Sequence, residues 1–251
     1  MTRSNWLLSW SAALLVVASA GVTPAAAQSQ PRVEISANVG VLTATNSFEE
    51  TRSYASNGGE TATITVEHPG KTTVAFNVGA AVRILPKVWV GAQYAVANAK
   101  ANAPITAVVP HPILFNAPRT AEGEVDDVTH NEGNLHVDVM YALPVSAVDV
   151  KVMGGPTFFN VTRDFVSEVA LNETYPFDTA TFASATKKQL SESAVGFNVG
   201  VDISYPLSPR VGVGGLVRYS QGDVKFDNPD TGSHTVKAGG LEAVGGVRIR
   251  F

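Results

Sequence analysis

The stretch 240-GLEAVGGVRIRF-251 holds two interleaved sets of side chains. Leu241, Ala243, Gly245, Val247, Ile249 and Phe251 form one set; Gly240, Glu242, Val244, Gly246, Arg248 and Arg250 form the other. Successive residues of an extended strand point to opposite sides. The segment therefore reads as a strand with one apolar face, ending on an aromatic ring, and one face that carries charge.

Seven further segments upstream repeat this period of two: Arg32–Thr45, Thr72–Leu85, Val88–Ala99, Gly133–Leu143, Asp149–Arg163, Gln189–Tyr205 and Arg210–Asp223. In the second of these, Val74, Phe76, Val78, Ala80, Val82 and Ile84 alternate with Ala75, Asn77, Gly79, Ala81 and Arg83. One such run is a weak signal, but eight in succession predict an all-β chain. The connections alternate in length. Pro86-Lys87, the stretch around Pro144–Val148 and Pro206–Pro209 are short and contain proline, which ends a strand because it has no N–H to donate. Residues 46–71, 100–132, 164–188 and 224–236 are read as long loops. Short turns at one end and long loops at the other predict an eight-stranded antiparallel up-and-down barrel.

Residues 1–27 stand apart from this pattern. Arg3 precedes the apolar run 12-AALLVVASAG-21, too short to span a membrane as a helix, and Ala25-Ala26-Ala27 supplies small residues for cleavage. A signal peptide over 1–27 and a barrel domain over 28–251 are the expected domains. Removing Arg3 and no acid shifts the formal net charge from −4 to −5. An acidic mature chain does not suit nucleic acid, which needs a basic face. With no cysteine, neither a disulfide framework nor a thiolate metal site is available. No later apolar run approaches the length of a membrane helix, so a mature chain embedded in a membrane must span it as a closed barrel.

A soluble eight-stranded barrel also alternates, and the two differ in which face points inward. A soluble barrel covers its exterior with long polar side chains. Here the polar face is mostly Gly, Ala, Asn and Ser with isolated charges, which suits a narrow lumen. The other face is rich in valine, with Tyr141, Tyr205 and Phe251 near the turn ends, as an interfacial aromatic belt requires. The valine face is read as facing lipid. The inward set then contains Glu34, Asp138, Asp202 and Glu242 with Arg83, Lys151, Arg218, Arg248 and Arg250, nearly balanced in charge, and His136 beside Asp138. Unpaired charge in so narrow a space costs several kcal/mol, so mutual pairing into a plug is expected. Arg248 and Arg250, close to the short-turn mouth, have solvation there as an alternative to pairing. The inner face is taken to be polar to both ends, with Leu42, Met140, Met153 and Leu216 its sizeable aliphatic members.

The long loops offer little chemistry. In 121-AEGEVDDVTHNEG-133, Glu122, Glu124, Asp126, Asp127 and Glu132 cluster, but their spacing matches no calcium loop. The apolar, proline-rich 103-APITAVVPHPILFNAP-118 is read as a cover over the barrel mouth. His68, His111, His130 and His234 are scattered over three loops without an HxH or HxxxH pair, so no metal site is assigned. No cofactor motif and no catalytic constellation is present, and the chain is read as a non-enzyme.

These features resemble the small bacterial outer-membrane β-barrel family, of the OmpA, OmpX and OmpW type. The likeness spans Gln28–Phe251 and rests on the signal peptide, the phrase 151-KVMGGPTFFNVTRDF-165 and the terminal 247-VRIRF-251. It implies residence in the cell outer membrane, contact with outer-membrane lipids and lipopolysaccharide, recognition of Phe251 by the barrel-assembly machinery, and a monomer. It stops at the barrel, so the cell-wall tethering of the OmpA type is not expected. Two functions fit the resemblance: a structural and surface-interaction barrel displaying its loops without an open pore, or an OmpW-like conduit for small apolar compounds. The charged inner face favours the first.

Overall fold

The computed structural model describes residues 31–44, 47–55, 59–145, 147–228 and 232–251, all within one compact unit, Pro31–Phe251. The predicted signal peptide lies outside the described residues. Ten strands are present: β1 (Val33–Ala44), β2 (Phe48–Ala55), β3 (Thr61–His68), β4 (Thr73–Leu85), β5 (Val88–Val109), β6 (Arg119–Leu143), β7 (Asp149–Glu173), β8 (Ala180–Pro206), β9 (Val211–Asn228) and β10 (Gly232–Arg250). Eight of them close into a ring in the order β1-β4-β5-β6-β7-β8-β9-β10, every pair antiparallel. The ring closes where β1 meets β10, from Glu34 opposite Arg250 to Ala44 opposite Gly240. Backbone bonds from Arg32 N and Val33 N to Phe251 O, and from Phe251 N to Val33 O, fasten the seam. Hydrocarbon offers no hydrogen bonds, and a ring leaves no unpaired edge facing it.

Around the short-turn half, valines point out and small or charged residues point in. Val39, Val78, Val139, Val199 and Val217 are exposed on the outer wall, while Asn77, Asp138 and Arg218 are fully buried. Tyr141, Tyr205 and Phe251 ring the lower edge of this apolar band; Phe76, Tyr94, Phe158, Phe197 and Tyr219 ring its upper edge.

The segments read as long loops are mostly sheet. β5 runs on to Val109 and β6 begins at Arg119; β7 reaches Glu173, and β8 and β9 are similarly long. The acidic stretch 121–133 lies in β6, with a register shift and a positive φ of 52° at Asp127. The proline-rich segment is no cover over the mouth: Ala103, Ile105, Ala107 and Val109 are buried in β5, and only the turn beyond is irregular. The strands keep their phase past the apolar band, but the chemistry of their two faces exchanges. On β9 the outward series Val213, Val217, Tyr219 becomes Gln221, Asp223, Lys225, while the inward series Arg218, Ser220 becomes Val224, Phe226. On β7, outward Phe158 gives way to Asn160 and Thr162, and inward Thr157 to Phe159, Val161 and then Arg163 and Phe165. Once the outer surface meets water instead of lipid, apolar side chains leave water only by turning inward. The inner face is therefore not polar to both ends. Above the band it packs in two clusters, one around Ile64, Ile105, Val125 and Val166, the other around Phe159, Phe165, Val224 and Phe226.

The β2–β3 hairpin belongs to this upper storey, where β3 pairs with β5 through Thr63–Val66 and Val108–Ile105. On the other side β10 leaves β1 at Gly239 and Gly240, whose φ values of 91° and 145° suit glycine. A Cβ on Gly239 would sit 2.4 Å from the Ser220 carbonyl oxygen.

The exchange of faces fixes the lipid boundary, and lysine substitution tests it. Val199→Lys, at mid-band on the outer wall, is expected to cost about 2–4 kcal/mol in a reversible folding titration into lipid vesicles, and Ser191→Lys, outward on the same strand above the band, close to zero. Equal costs at the two positions would remove the boundary from this height.

Candidate functional site

Inside the apolar band the lumen is filled by ion pairs in tiers. At the short-turn end Glu34 accepts from Lys151 Nζ at 2.6 Å and from Arg250 Nε at 3.0 Å. Arg250 also reaches Asp149 Oδ2 at 2.7 Å and Ser204 Oγ at 2.7 Å. Lys151 lies 4.5 Å, and Arg83 5.9 Å, from the ring centroid of Trp89. One tier up, Arg248 donates to Asp202 Oδ2 at 2.5 Å and to Asn38 Oδ1. Arg218 occupies the centre. Its Nη2 donates to Asp138 Oδ2 at 3.0 Å, and its Nη1 stands 3.5 Å from Glu242 Oε2. Asn77 completes Glu242 with a bond of 3.1 Å and is linked to Asn38 at 3.4 Å. Above these, Thr157 Oγ1 accepts from Asn198 at 3.0 Å and bonds His136 Nδ1 at 2.8 Å.

All ten residues singled out by alternation (Glu34, Arg83, His136, Asp138, Lys151, Asp202, Arg218, Glu242, Arg248 and Arg250) point into the barrel. Glu34 and Lys151 meet each other, Arg218 meets Asp138 and Glu242, and Arg248 meets Asp202; His136 bonds Thr157, and Arg83 faces Trp89. Of pairing and solvation, Arg248 and Arg250 show pairing: they are 1% and 7% exposed, and each meets a carboxylate. Glu34, the direct cross-strand neighbour of Arg250 on β1, and Asp202 on β8 supply the carboxylates, so the guanidinium groups fold inward. Trp89, Asn38, Asn77 and Thr157 share the inner face by the same alternation, but a neutral side chain there carries no sign of charge pairing.

The histidines of the upper storey fall in different places. His111 Nδ1 accepts from Ile113 N and Leu114 N at 3.1 and 2.9 Å and so shapes the β5–β6 turn. His130 bonds Glu132 at 2.8 Å, and His234 lies against Phe165. His68 stands 3.4 Å from Glu50 and stacks on Phe48. Burial pushes the His68 ring below its ordinary pKa against the opposing Glu50 contact, so it is neutral at pH 7. Among the described residues, no group of three His, Asp or Glu side chains is arranged to hold a metal ion, and no helix is long and apolar enough to cross a membrane.

A ring of eight antiparallel strands with a lipid-facing valine wall and paired charges within agrees with the family comparison, in which the family model described as outer membrane protein beta-barrel domain matches residues 12–240. The chain belongs to that family. Its place is therefore the cell outer membrane, with the short turns on the periplasmic side and the long strands outside. No curated protein sequence matches the chain. Among solved structures it is similar to the outer membrane protease OmpT from Escherichia coli, with 10% identity, 88% of this chain and 97% of that one covered, and a TM-score of 0.50. It is also similar to Neisserial surface protein A (12% identity, 87% and 97% covered, TM-score 0.46) and to Ail, the attachment invasion locus protein of Yersinia pestis (10%, 87% and 99%, 0.37). At these identities the likeness concerns the fold alone.

Arg218 anchors the column. Arg218→Met leaves Asp138 and Glu242 buried opposite a neutral side chain and is expected to cost about 3–5 kcal/mol, whereas adding Asp138→Asn and Glu242→Gln should recover most of that loss. Urea unfolding in lipid vesicles checks both values; a single substitution without effect would show that the pairs are not needed.

Proposed function

We propose that the protein is a sealed outer-membrane barrel whose role is structural and surface-directed: it anchors a stiff extracellular β-wall and presents the tip of that wall to other surfaces. The observation that supports a sealed lumen is Arg218, 0% exposed at mid-barrel and held between Asp138 and Glu242 from facing walls, with the Arg248–Asp202 pair in the next tier. Ions need a continuous wet path, and eight strands leave little space around such a column. Surface display is supported by the β5–β6 tip. Ile113, Leu114 and Phe115 are 63%, 54% and 79% exposed, on a turn braced by Arg119 against Glu173, Pro110 O and Phe177 O. Exposed apolar side chains on a braced turn suit contact with another surface. Outer-membrane lipids and lipopolysaccharide are the proposed neighbours of the wall, and the assembly machinery the proposed reader of Phe251; the barrel works as a monomer and without catalysis.

The conduit reading needs a hollow apolar interior. The upper interior is apolar, but Phe165 packs against Phe226 at 5.2 Å between centroids and both rings are fully buried, which fills it.

In planar bilayers the purified protein should give only rare, small current steps; a steady ohmic channel of porin size overturns the sealed lumen. Uptake of an apolar solute such as octane should not change when cells lack the protein, and a clear fall would favour the conduit.

A further inference from the structure

Just above the lipid band the barrel wall is interrupted on one side. β1 follows β10 only as far as Gly240, and β4 follows β5 only up to Ala97, so residues 98–104 of β5 have no partner there until β3 joins at Ile105. Side chains satisfy the exposed backbone in place of a strand. Thr73 Oγ1 and Lys71 Nζ donate to the Asn98 and Lys100 carbonyls at 2.5 and 2.8 Å, and Gly239 N donates inward to Glu132 at 3.1 Å. Pro104 lies in this unpartnered stretch, where its missing donor breaks no ladder on that side. Behind the gap is a small cleft, open to solvent at its rim and walled by the small side chains of Ala99, Ala101 and Ala103.

The polar lining is mostly cationic: Arg163, Lys71 and Lys237 against one carboxylate, Glu132. Arg163 is the unusual member. It is 5% exposed and lies 4.4 Å from the centre of the Phe48 ring, which is itself stacked on His68 at 4.4 Å and 5°. The stack fixes the guanidinium in place. Yet Arg163 makes no hydrogen bond or ion pair with a described residue, and its Nε is buried without a partner. Glu132 and Glu50 act on it through space only; Glu132 is bonded to His130, Asn134 and Gly239 N, and Glu50 stands by His68. A guanidinium removed from water without a bonded anion is costly, and its planar fork of donors matches phosphate oxygens.

We propose that this cleft is a binding site for a phosphate group, with Arg163 as its buried partner and Lys71 and Lys237 at the rim. The height of the gap favours an outer-leaflet lipid headgroup as the source. It opens immediately above Phe76, Tyr94 and Leu241, the upper edge of the lipid-facing band, where headgroup phosphates lie. Glu132 and Glu50 face the guanidinium only through space, so its donors are left for a phosphate oxygen approaching from the rim. Only the phosphate end of a headgroup would enter at the rim, and the acyl chains would stay outside along the valine wall.

The test uses the full mature barrel, released from mixed micelles of phosphatidylglycerol and phosphatidylcholine into native mass spectrometry. One phosphatidylglycerol should be retained about tenfold over phosphatidylcholine, the scale of one or two charge-assisted hydrogen bonds. Arg163→Met and the rim variant Lys71→Gln/Lys237→Gln should both abolish that preference, with Arg163→Lys intermediate. The rim side chains lie outside the packed clusters, so the rim variant carries the test even if Arg163→Met folds poorly, which heat-modifiable gel mobility reports. Inorganic phosphate at millimolar concentration should not displace the lipid; displacement, with free phosphate bound instead, overturns the lipid source. Equal retention of the two lipids by the wild type, or a preference unchanged in the rim variant, overturns the site. None of these outcomes bears on the sealed lumen, which conductance reads separately.

Discussion

The height at which hydrocarbon gives way to water governs nearly everything else in this molecule. Below it the outer wall is already in an apolar solvent, so valine belongs outside and the interior is free to hold polar groups. Above it the same strands continue in the same phase, and apolar residues leave water only by facing inward. β5, β7 and β9 all make the exchange just beyond their upper aromatic or valine residue, at Val96, Phe158 and Tyr219. One continuous set of strands is thus a membrane barrel in its lower half and a water-exposed β structure with its own apolar core in its upper half.

A polar interior within a greasy wall has to be neutralised from inside. Arg218, Arg248 and Arg250 come from the last two strands, and their carboxylates from β1, β6, β7, β8 and β10. Arg218–Glu242 and Arg250–Glu34 join neighbouring strands at directly paired positions, whereas Arg218–Asp138 and Arg250–Asp149 reach across the ring to strands three places away. Removing one partner leaves a buried charge uncompensated, which is why such a column is sensitive to single substitutions and tolerant of matched ones. The same column stands in the space enclosed by the ring, so the charges that stabilise the barrel are also what fills its middle.

The upper storey is less regular, because β1 and β4 end at the lipid boundary while their neighbours continue. The β2–β3 hairpin fills part of the vacated arc and brings Phe48 and His68 under Arg163. The remaining arc is closed by side-chain bonds and small residues, not by a strand. A cleft with a buried guanidinium is the result, at the level where lipid headgroups meet protein.

Period-two alternation, proline-bearing short turns, the absence of cysteine and the small, sparsely charged inner face were enough to read from the sequence an eight-stranded membrane barrel, its lipid face and ten inward charged or histidine residues. What stayed hidden has a common cause. A hydropathy pattern that inverts at Asn98, Asn160 and Gln221 looks like the end of a strand, so strands that continue as extracellular wall read as loops. Which Arg meets which carboxylate, and the meeting of Phe48, His68, Glu132 and Arg163 around one cleft, depend on register and closure between strands distant in the chain. Residue type and spacing along one strand fix which way a side chain points; only the closed ring decides what stands opposite it.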